Sequence, residues 1–446
     1  MKTIDDFKND FDHQEMGLYR WLAVSICVLI FIIDGFDILV MAFTAHSISK
    51  DWGMNGAEIG SLISSGLIGA AVGSFFIAPL GDRYGRKKIM MFSLYLAALT
   101  MMASAFTHHA LQLGSLRFLT GVAVGGVLGN CNVLTSEYSS KKWRSLTVCL
   151  LSTGYALGAT LGGLLAIFLD QKYGWHSVFL VGGMATLIVA VIATLWLPES
   201  LYYLLQHQTP SQLKKIQVLE KKFNLKHLSE ITASTKTKKQ SNVRSIFTAE
   251  YAKSTVLLWI AMFCMMFGFY YILTWTPKIL ANNGMSNTEG MSAGVLINLG
   301  AVMGTLLFGF LGTKYKIKSL QVIFMVLTAL LTLFFAFSLN DYKMALLVGL
   351  VVGVFGVGSK AGIQVVAPQI YSPYNRATGV GLAIGIGRIG SMLSPIVAGL
   401  LLDAGWMPKS LFIFASLFFI VAMFALMTLK SEEQGQHLQT TELMKG

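Results

Sequence analysis

Gly81-Asp82-Arg83-Tyr84-Gly85-Arg86-Lys87-Lys88 follows an apolar stretch at 58–80, and a weaker copy, Gly312-Thr313-Lys314-Tyr315-Lys316-Ile317-Lys318, follows another at 291–311. The two stand 231 positions apart. A second pair has almost the same spacing: Glu137-Tyr138-Ser139-Ser140-Lys141-Lys142-Trp143-Arg144 and Gln369-Ile370-Tyr371-Ser372-Pro373-Tyr374-Asn375-Arg376 stand 232 apart. Two independent matches at nearly the same offset indicate an internal duplication. In each pair a polar or charged loop closes an apolar run, so the repeated unit is a set of hydrophobic spans.

Working outward from these loops gives twelve apolar windows, at about 21–45, 58–80, 88–107, 111–135, 146–169, 177–197, 254–281, 291–311, 320–339, 344–368, 378–402 and 410–429. Each has roughly the twenty residues needed to cross a hydrocarbon core of about 30 Å at 1.5 Å per residue. The composition agrees: 54% of the 446 residues are hydrophobic and 13% charged, and mean hydropathy is +0.63, whereas a soluble domain carries about 25% charged residues. A soluble enzyme and a disordered protein are excluded. The expected fold is an all-α membrane protein, twelve transmembrane helices in two pseudo-symmetric six-helix halves. The expected limits are a cytoplasmic N-terminus at 1–20, a first half at 21–198, a cytoplasmic linker at 199–253, a second half at 254–429 and a cytoplasmic tail at 430–446. Two parallel six-helix repeats are the organisation of rocker-type secondary transporters, whose site lies near the midplane between the halves.

The net charge of +12 is explained by where the charges fall. An even number of spans puts both termini on one side. With that side cytoplasmic, Lys50, Lys172, Lys278, Lys343 and Lys409 are the cations of the outer loops and helix ends, Arg117, Lys360 and Arg388 lie inside spans, and the other 26 of the 34 Lys and Arg face inward. That asymmetry follows the positive-inside rule. It predicts a multi-pass protein of the inner (plasma) membrane with both termini cytoplasmic, and it accounts for the basic pI without a nucleic-acid partner. The linker segment from Leu213 to Lys226 reads either as an amphipathic helix on the inner membrane surface or as a solvated basic linker. The acidic N-terminus, with Asp5, Asp6, Asp10, Asp12 and Glu15, is unlike the basic start of a cleaved signal peptide. Cys27, Cys131, Cys149 and Cys264 all fall in apolar stretches without metal-ligand spacing. They read as inert thiols, and no metal or cofactor is expected.

Ionisable residues inside spans carry the chemistry. Asp34 and Asp37, three apart in span one, share a helix face. A charge at the bilayer centre costs at least ~2.5–3.5 kcal/mol on insertion scales, so two carboxylates there imply a task. The structural alternative is that they are neutral or paired groups that hold helices together. The functional one is a proton site, because burial and a like-charged neighbour both favour the protonated form of a carboxyl group. Arg117 in span four lies at the depth of Asp37, so the two can pair. Arg388 in span eleven lies near the midplane, and Lys360 lies toward the inner end of span ten. A cation facing a cavity attracts an anion, and the guanidinium fork matches a carboxylate. Arg117, Arg388 and Lys360 are therefore substrate candidates, and the substrate is expected to be a small carboxylate. Lys360 either snorkels toward the cytoplasm or offers a second cation to a dicarboxylate. Asn130, Asn132 and Gln364 are candidate hydrogen-bond donors, and Asn132 and Gln364 match at the 232 offset. Gly385-x-Gly387-x-x-Gly390 has the letters of a dinucleotide fingerprint but lies in an apolar helix, without the strand that motif requires. Small-residue spacings such as Gly69/Gly73, Gly121/Gly125/Gly129, Gly154/Gly158/Gly162 and Gly381/Gly385 read as close helix packing.

The Gly81 to Lys88 loop resembles the signature of the major facilitator superfamily, and the pattern of spans matches over essentially the whole chain. Asp34-Gly35-Phe36-Asp37, Arg117-Phe118-Leu119-Thr120-Gly121, Leu197-Pro198-Glu199-Ser200, and Arg376-Ala377-Thr378-Gly379-Val380-Gly381 leading to Gly385-Ile386-Gly387-Arg388-Ile389-Gly390 look like the aromatic acid:proton symporters, which include permeases for benzoate, hydroxybenzoates and muconate. The resemblance implies proton-coupled uptake of an aromatic or related carboxylate by alternating access, with the span-one acids in coupling. In this fold spans one, five and seven contribute to the cavity, so Phe36, Tyr155, Phe269, Tyr270 and Trp275 are candidate ring contacts. Lys360 departs from the family pattern, where a small or amide residue is more usual. Asp82, Arg83, Arg86, Glu137, Arg144 and the matching Arg376 are expected to form a cytoplasmic latch that breaks when that side opens. The remaining alternatives are proton-coupled efflux of a drug or metabolite, against which the three intramembrane cations argue, and a non-transporting membrane sensor. No nucleophile, base and orienting group can be assembled for an enzyme.

Overall fold

The computed structural model describes residues 11–207, 213, 216, 246–248, 251–339, 341–371 and 376–429. The expected linker helix, apart from Leu213 and Ile216, and the C-terminal tail lie outside these residues. Twelve long helices follow one another: α1 (Leu18–Trp52), α2 (Gly56–Phe76), α3 (Arg86–Ser104), α4 (Ala110–Tyr138), α5 (Arg144–Tyr173), α6 (Trp175–Trp196), α7 (Ala252–Asn282), α8 (Asn287–Gly312), α9 (Ile317–Phe335), α10 (Tyr342–Val366), α11 (Arg376–Asp403) and α12 (Pro408–Thr428). Among the described residues, eleven helices are long and apolar enough to cross a membrane. The one that falls short is α3, whose 19 residues still rise about 28 Å. Its Arg86-Lys87-Lys88 start and its Ser93, Thr100 and Ser104 dilute its apolar character.

Local chemistry sets the helix starts. Ser286 and Glu289 form a reciprocal capping box at α8, and the Asp341 carboxylate accepts from the N–H groups of Lys343 and Met344 at α10. Pro408 opens α12, where its missing N–H costs no intrahelical bond.

The duplication in the sequence recurs in the packing. A Cβ added to Gly69 or Gly73 of α2 would lie 2.1 and 1.9 Å from the carbonyl oxygens of Phe118 and Val122 of α4. A Cβ on Gly300 or Gly304 of α8 would lie 2.0 and 1.9 Å from those of Leu350 and Val354 of α10. The glycines are 231 apart and the carbonyls 232, the same two offsets as the loops. Helices two and four of each repeat thus meet backbone to backbone through equivalent glycines. Gly158 does the same on Ile32 between α5 and α1, whereas a Cβ on Gly381 would meet open space among the described residues.

The chain divides into two compact units. One comprises Met1–Ile38, Ile68–Ala159 and His176–Lys238; the other comprises Leu39–Leu67, Thr160–Trp175 and Lys239–Gly446. This division departs from the chain midpoint, because the 39–67 and 160–175 segments group with the later helices. The first unit has a core that includes Ile26, Ile30, Leu94, Val127, Leu134 and Ala190; Phe308, Leu320 and Phe324 form an aromatic-rich cluster in the second.

Candidate functional site

In the first unit, Asp37 Oδ1 accepts a hydrogen bond from Arg117 Nη1 at 3.0 Å. Arg117 Nη2 donates to Ser104 Oγ at 3.1 Å and to Thr120 Oγ1 at 3.0 Å. The guanidinium carbon lies 5.0 Å from the centroid of the Phe179 ring. Arg117 is 2% exposed. One span-one acid is thus tied to span four, with hydroxyls from α3 and α4 and a ring from α6 completing the surround. Asp34, one turn back on α1, is also buried. Both carboxyl groups line a cavity of about 20 Å³ whose other walls include Ile30, Leu94, Met101, Val127 and Thr186. That is room for about one water.

The same geometry places the other candidates of the first unit. Arg117, a candidate both for the anion and for the pair with Asp37, turns its fork into the interior of the unit. Phe36 packs on α6, where a Cβ at Gly182 would lie 2.2 Å from its ring; it fills the bundle and does not offer a free face. Asn130 Nδ2 donates to Ala78 O at 3.0 Å and to Gly126 O at 2.9 Å, which ties the end of α2 to α4. Asn132 is exposed and donates to Leu128 O of its own helix at 3.0 Å. Tyr155 packs against the first unit's core, and its carbonyl oxygen lies 1.9 Å from where a Gly35 Cβ would be.

In the second unit, Lys360 Nζ of α10 lies 5.4 Å from the ring centroids of both Phe269 and Tyr270 on α7. The rings are nearly perpendicular, 88° apart. A cation beside a π face is stabilised by about 0.5–2 kcal/mol per contact, which favours this position for the half-buried ammonium. Gln364, one turn further on, is exposed, and Arg388 on α11 is half-buried. Trp275, a candidate ring contact, is fully buried and donates from Nε1 to Pro395 O at 3.1 Å, joining α7 to α11. Lys278, expected at an outer helix end, is only 5% exposed and lies 5.9 Å from the Trp275 ring.

A second polar group lies at the other end of the first unit. Gly85, with φ +107°, turns the chain between the short helix Leu80–Tyr84 and α3; any side chain there would be strained and would meet Glu199 Oε2. Arg86, the next residue, binds Asp82 Oδ1 at 2.9 Å, Glu137, and Ser200 Oγ at 3.3 Å. Ser200 Oγ donates to Glu137 Oε2 at 2.6 Å, and Glu199 Oε1 accepts from the Lys87 N–H at 2.9 Å. Asp82, Arg86 and Glu137 therefore come together as expected. Arg83 does not join them; its guanidinium lies over the Tyr84 ring. Arg144 pairs with Asp12 of the N-terminal segment instead. The side chain of Arg376 lies outside the described residues.

Reading the residues alone missed the roles of Glu199 and Ser200, although their stretch had been singled out. It also missed Ser104, Thr120 and Phe179 around Arg117. Thr120 carried a usable signal, a hydroxyl one turn from an intramembrane arginine. Phe179 carried none, since one ring among many in apolar helices has no distinguishing mark. Among the described residues no group of His, Cys, Asp and Glu could hold a metal ion.

The family model of the Major Facilitator Superfamily matches residues 25–359 and 258–444. The chain is 31% identical to the gallate transporter of Pseudomonas putida over 404 residues, 90% of this chain and 89% of that one. It is 31% identical to the 4-hydroxybenzoate transporter PcaK of Pseudomonas aeruginosa over 402 residues, 88% of each. Among solved structures, the partially occluded inward-open xylose transporter XylE of Escherichia coli superimposes with a TM-score of 0.74 at 15% identity, covering 94% of this chain and 99% of that one.

Proposed function

The chain belongs to the Major Facilitator Superfamily, and from that premise we propose that it carries an aromatic or related carboxylate inward across the inner membrane together with protons, by alternating access. It is a membrane transporter and not an enzyme. Two relatives, each matched over nearly nine-tenths of its length, are carriers of gallate and of 4-hydroxybenzoate. Both substrates are hydroxylated rings bearing one carboxylate, so that class is the preferred substrate. The charge asymmetry of the loops supports a cytoplasmic position for both termini.

The observation that carries the proton half of the reading is the buried Asp37–Arg117 pair beside Asp34. While Asp37 is charged, Arg117 is neutralised. A proton on Asp37 removes that partner and leaves a net positive charge inside the first unit, which favours the arrival of an anion elsewhere in the protein. Proton and carboxylate are thereby coupled through one charge without sharing a site. The carboxylate is assigned to Arg388, with Lys360, Tyr270 and Gln364 as further contacts from the second unit. Arg117 is read as the partner of the proton site, the role its expected pairing with Asp37 supports.

The test is uptake into proteoliposomes of radiolabelled benzoate, hydroxybenzoates, gallate, hydroxycinnamates and muconate, with and without an inward proton gradient. The reading expects a hydroxylated monocarboxylate to accumulate only with the gradient. Accumulation of none of them, or gradient-independent accumulation, contradicts it.

A further inference from the structure

The segment that precedes α1 is fastened from two directions. Arg20, in the first turn of α1 and 2% exposed, donates from Nη2 to Phe11 O at 2.7 Å and from Nη1 to Gln14 O and Glu15 O at 3.1 and 3.3 Å. Its guanidinium carbon lies 3.6 Å from the centroid of the Phe11 ring. One buried cation thus folds residues 11–15 back over the start of the helix, with three carbonyl oxygens in place of its water shell. The turn between α4 and α5 holds the same segment. The Lys141 N–H donates to Asp12 O at 2.8 Å, Arg144 binds the Asp12 carboxylate, and the Ser140 N–H meets Met16 Sδ at 3.4 Å. All these groups belong to the first unit.

Between segment and turn lies a cleft of about 660 Å³, walled by residues 12–16, by Trp21, and by Lys141, Lys142 and Trp143. The two indole rings meet edge to face with centroids 5.9 Å apart, and Lys142 Nζ lies 5.5 Å from the Trp143 ring. Asp12 is neutralised by Arg144, which leaves Glu15 against the two lysines, with His13 beside them. The lining is therefore cationic. Leu18 is 88% exposed, and the exposed Leu22 and Leu146 follow the indoles along α1 and α5, further into the spans. Cations, then amphipathic rings, then open apolar side chains match the order of phosphate, glycerol and acyl chain in a lipid. An inorganic anion would use the cations alone and leave the indoles and leucines without a task.

We propose that this cleft binds one anionic phospholipid of the cytoplasmic leaflet, its phosphate between Lys141 and Lys142, its glycerol against Trp21 and Trp143, and one acyl chain along Leu22 and Leu146. The leaflet follows from the loop charges, which support a cytoplasmic position for this end of the helices, where lysines meet anionic headgroups. The ties through Arg20 and Asp12 form the cleft in advance, so little ordering opposes binding. None of these residues is assigned to the proton or the carboxylate, and binding of the lipid does not depend on what the carrier transports.

The experiment uses the full chain in detergent micelles that contain dioleoyl-phosphatidylglycerol or dioleoyl-phosphatidylcholine, and native mass spectrometry counts the lipids that stay bound. Lys141→Gln with Lys142→Gln should weaken the tightest phosphatidylglycerol site by about 25-fold, roughly fivefold for each lysine near an anionic surface, and leave phosphatidylcholine binding unchanged. Lys314→Gln with Lys316→Gln removes the same charge from exposed positions of the loop after α8 and should leave that site intact. Unchanged phosphatidylglycerol binding in the Lys141 and Lys142 variant, or an equal loss in the Lys314 and Lys316 variant, overturns the proposal. Displacement of the lipid by inorganic phosphate at the same concentration also overturns it, since the site would then be one for a free anion. If the Lys141 and Lys142 variant does not fold, a phosphatidylglycerol with a photoactivatable diazirine beside its headgroup, cross-linked to the parent, decides. Adducts should fall on residues 12–16, 21 or 140–143, and adducts confined to other loops overturn the proposal. Because no substrate is present, the outcome is independent of whether the uptake panel identifies an aromatic acid.

Discussion

Arg117 of α4 reaches Asp37 of α1 across 3.0 Å, with its second nitrogen held by Ser104 and Thr120. The pair is nearly closed to solvent. Inside a bilayer each charge alone is costly, and an opposite charge with satisfied hydrogen bonds offsets that cost. The same arrangement makes the pair responsive, because adding one proton to Asp37 converts a neutral pair into a buried cation. The structural role of this contact and the coupling role proposed for it are separable by mutation.

Removing the cation should be far more damaging than removing both charges. Arg117→Ala leaves Asp37 buried without its ion partner and should lower unfolding stability by about 3–5 kcal/mol. Arg117→Ala combined with Asp37→Asn should recover part of that loss. Thermal unfolding in detergent checks this, and an Arg117→Ala protein that melts with the parent would remove the structural role.

The Arg86 cluster should act on rates. Asp82→Asn and Arg86→Ala should slow transport several-fold while substrate affinity stays near that of the parent, because Arg86 binds Asp82, Glu137 and Ser200 within one end of the first unit. Initial uptake rates alongside calorimetric binding separate the two quantities. A changed order of substrate preference would contradict this assignment.

Recognition of the carboxylate should depend on the second-unit cations. Arg388→Lys replaces a fork with a point charge and should weaken every substrate. Lys360→Gln removes the half-buried ammonium beside Phe269 and Tyr270, and the loss of affinity should be larger for muconate than for benzoate if Lys360 meets a second carboxylate. Equal losses for both ligands would exclude that role, and unchanged affinity in Arg388→Lys would take Arg388 out of the site.

The duplicated glycine seam predicts duplicated sensitivity. Gly73→Ala and Gly304→Ala would each place a Cβ 1.9 Å from a facing carbonyl oxygen, and should each destabilise by at least about 1–3 kcal/mol through forced backbone shifts. Gly309→Ala, with open space around it, serves as the control and should melt with the parent. Tolerance at Gly73 and Gly304 equal to that at Gly309 would contradict the close approach.

The helices and the repeat were legible because both rest on patterns that a linear chain displays: apolar length, loop charge and a constant offset that reappears in the α2–α4 and α8–α10 contacts. Asp37 and Arg117 were legible because ionisable groups stand out in apolar spans, and equal depth suggested their pairing. Orientation around a helix was not legible. Phe36 and Trp275 belong to helices that can line a cavity, yet one packs on Gly182 and the other bonds Pro395 O, and helices apolar on nearly all sides give little periodicity from which to choose a face. Lys278 lies near the end of α7 as expected, but its burial was not legible, since position near a span's end indicates depth and not burial. Asp403 was passed over entirely, since its carboxylate accepts from the Gly56 and Ala57 N–H groups of a helix start more than three hundred residues away.

The central claim is that Asp37, with Asp34 beside it, carries the proton. The most direct measurement is proton movement into proteoliposomes, read by a trapped pH-sensitive dye while labelled 4-hydroxybenzoate enters. The parent should acidify the lumen as substrate accumulates. Asp37→Asn and Asp34→Asn, whose amides fill the space without titrating, should still exchange internal for external substrate but neither acidify the lumen nor accumulate substrate against its gradient. If both variants move protons and substrate in the parent's ratio, the span-one acids are not the coupling site.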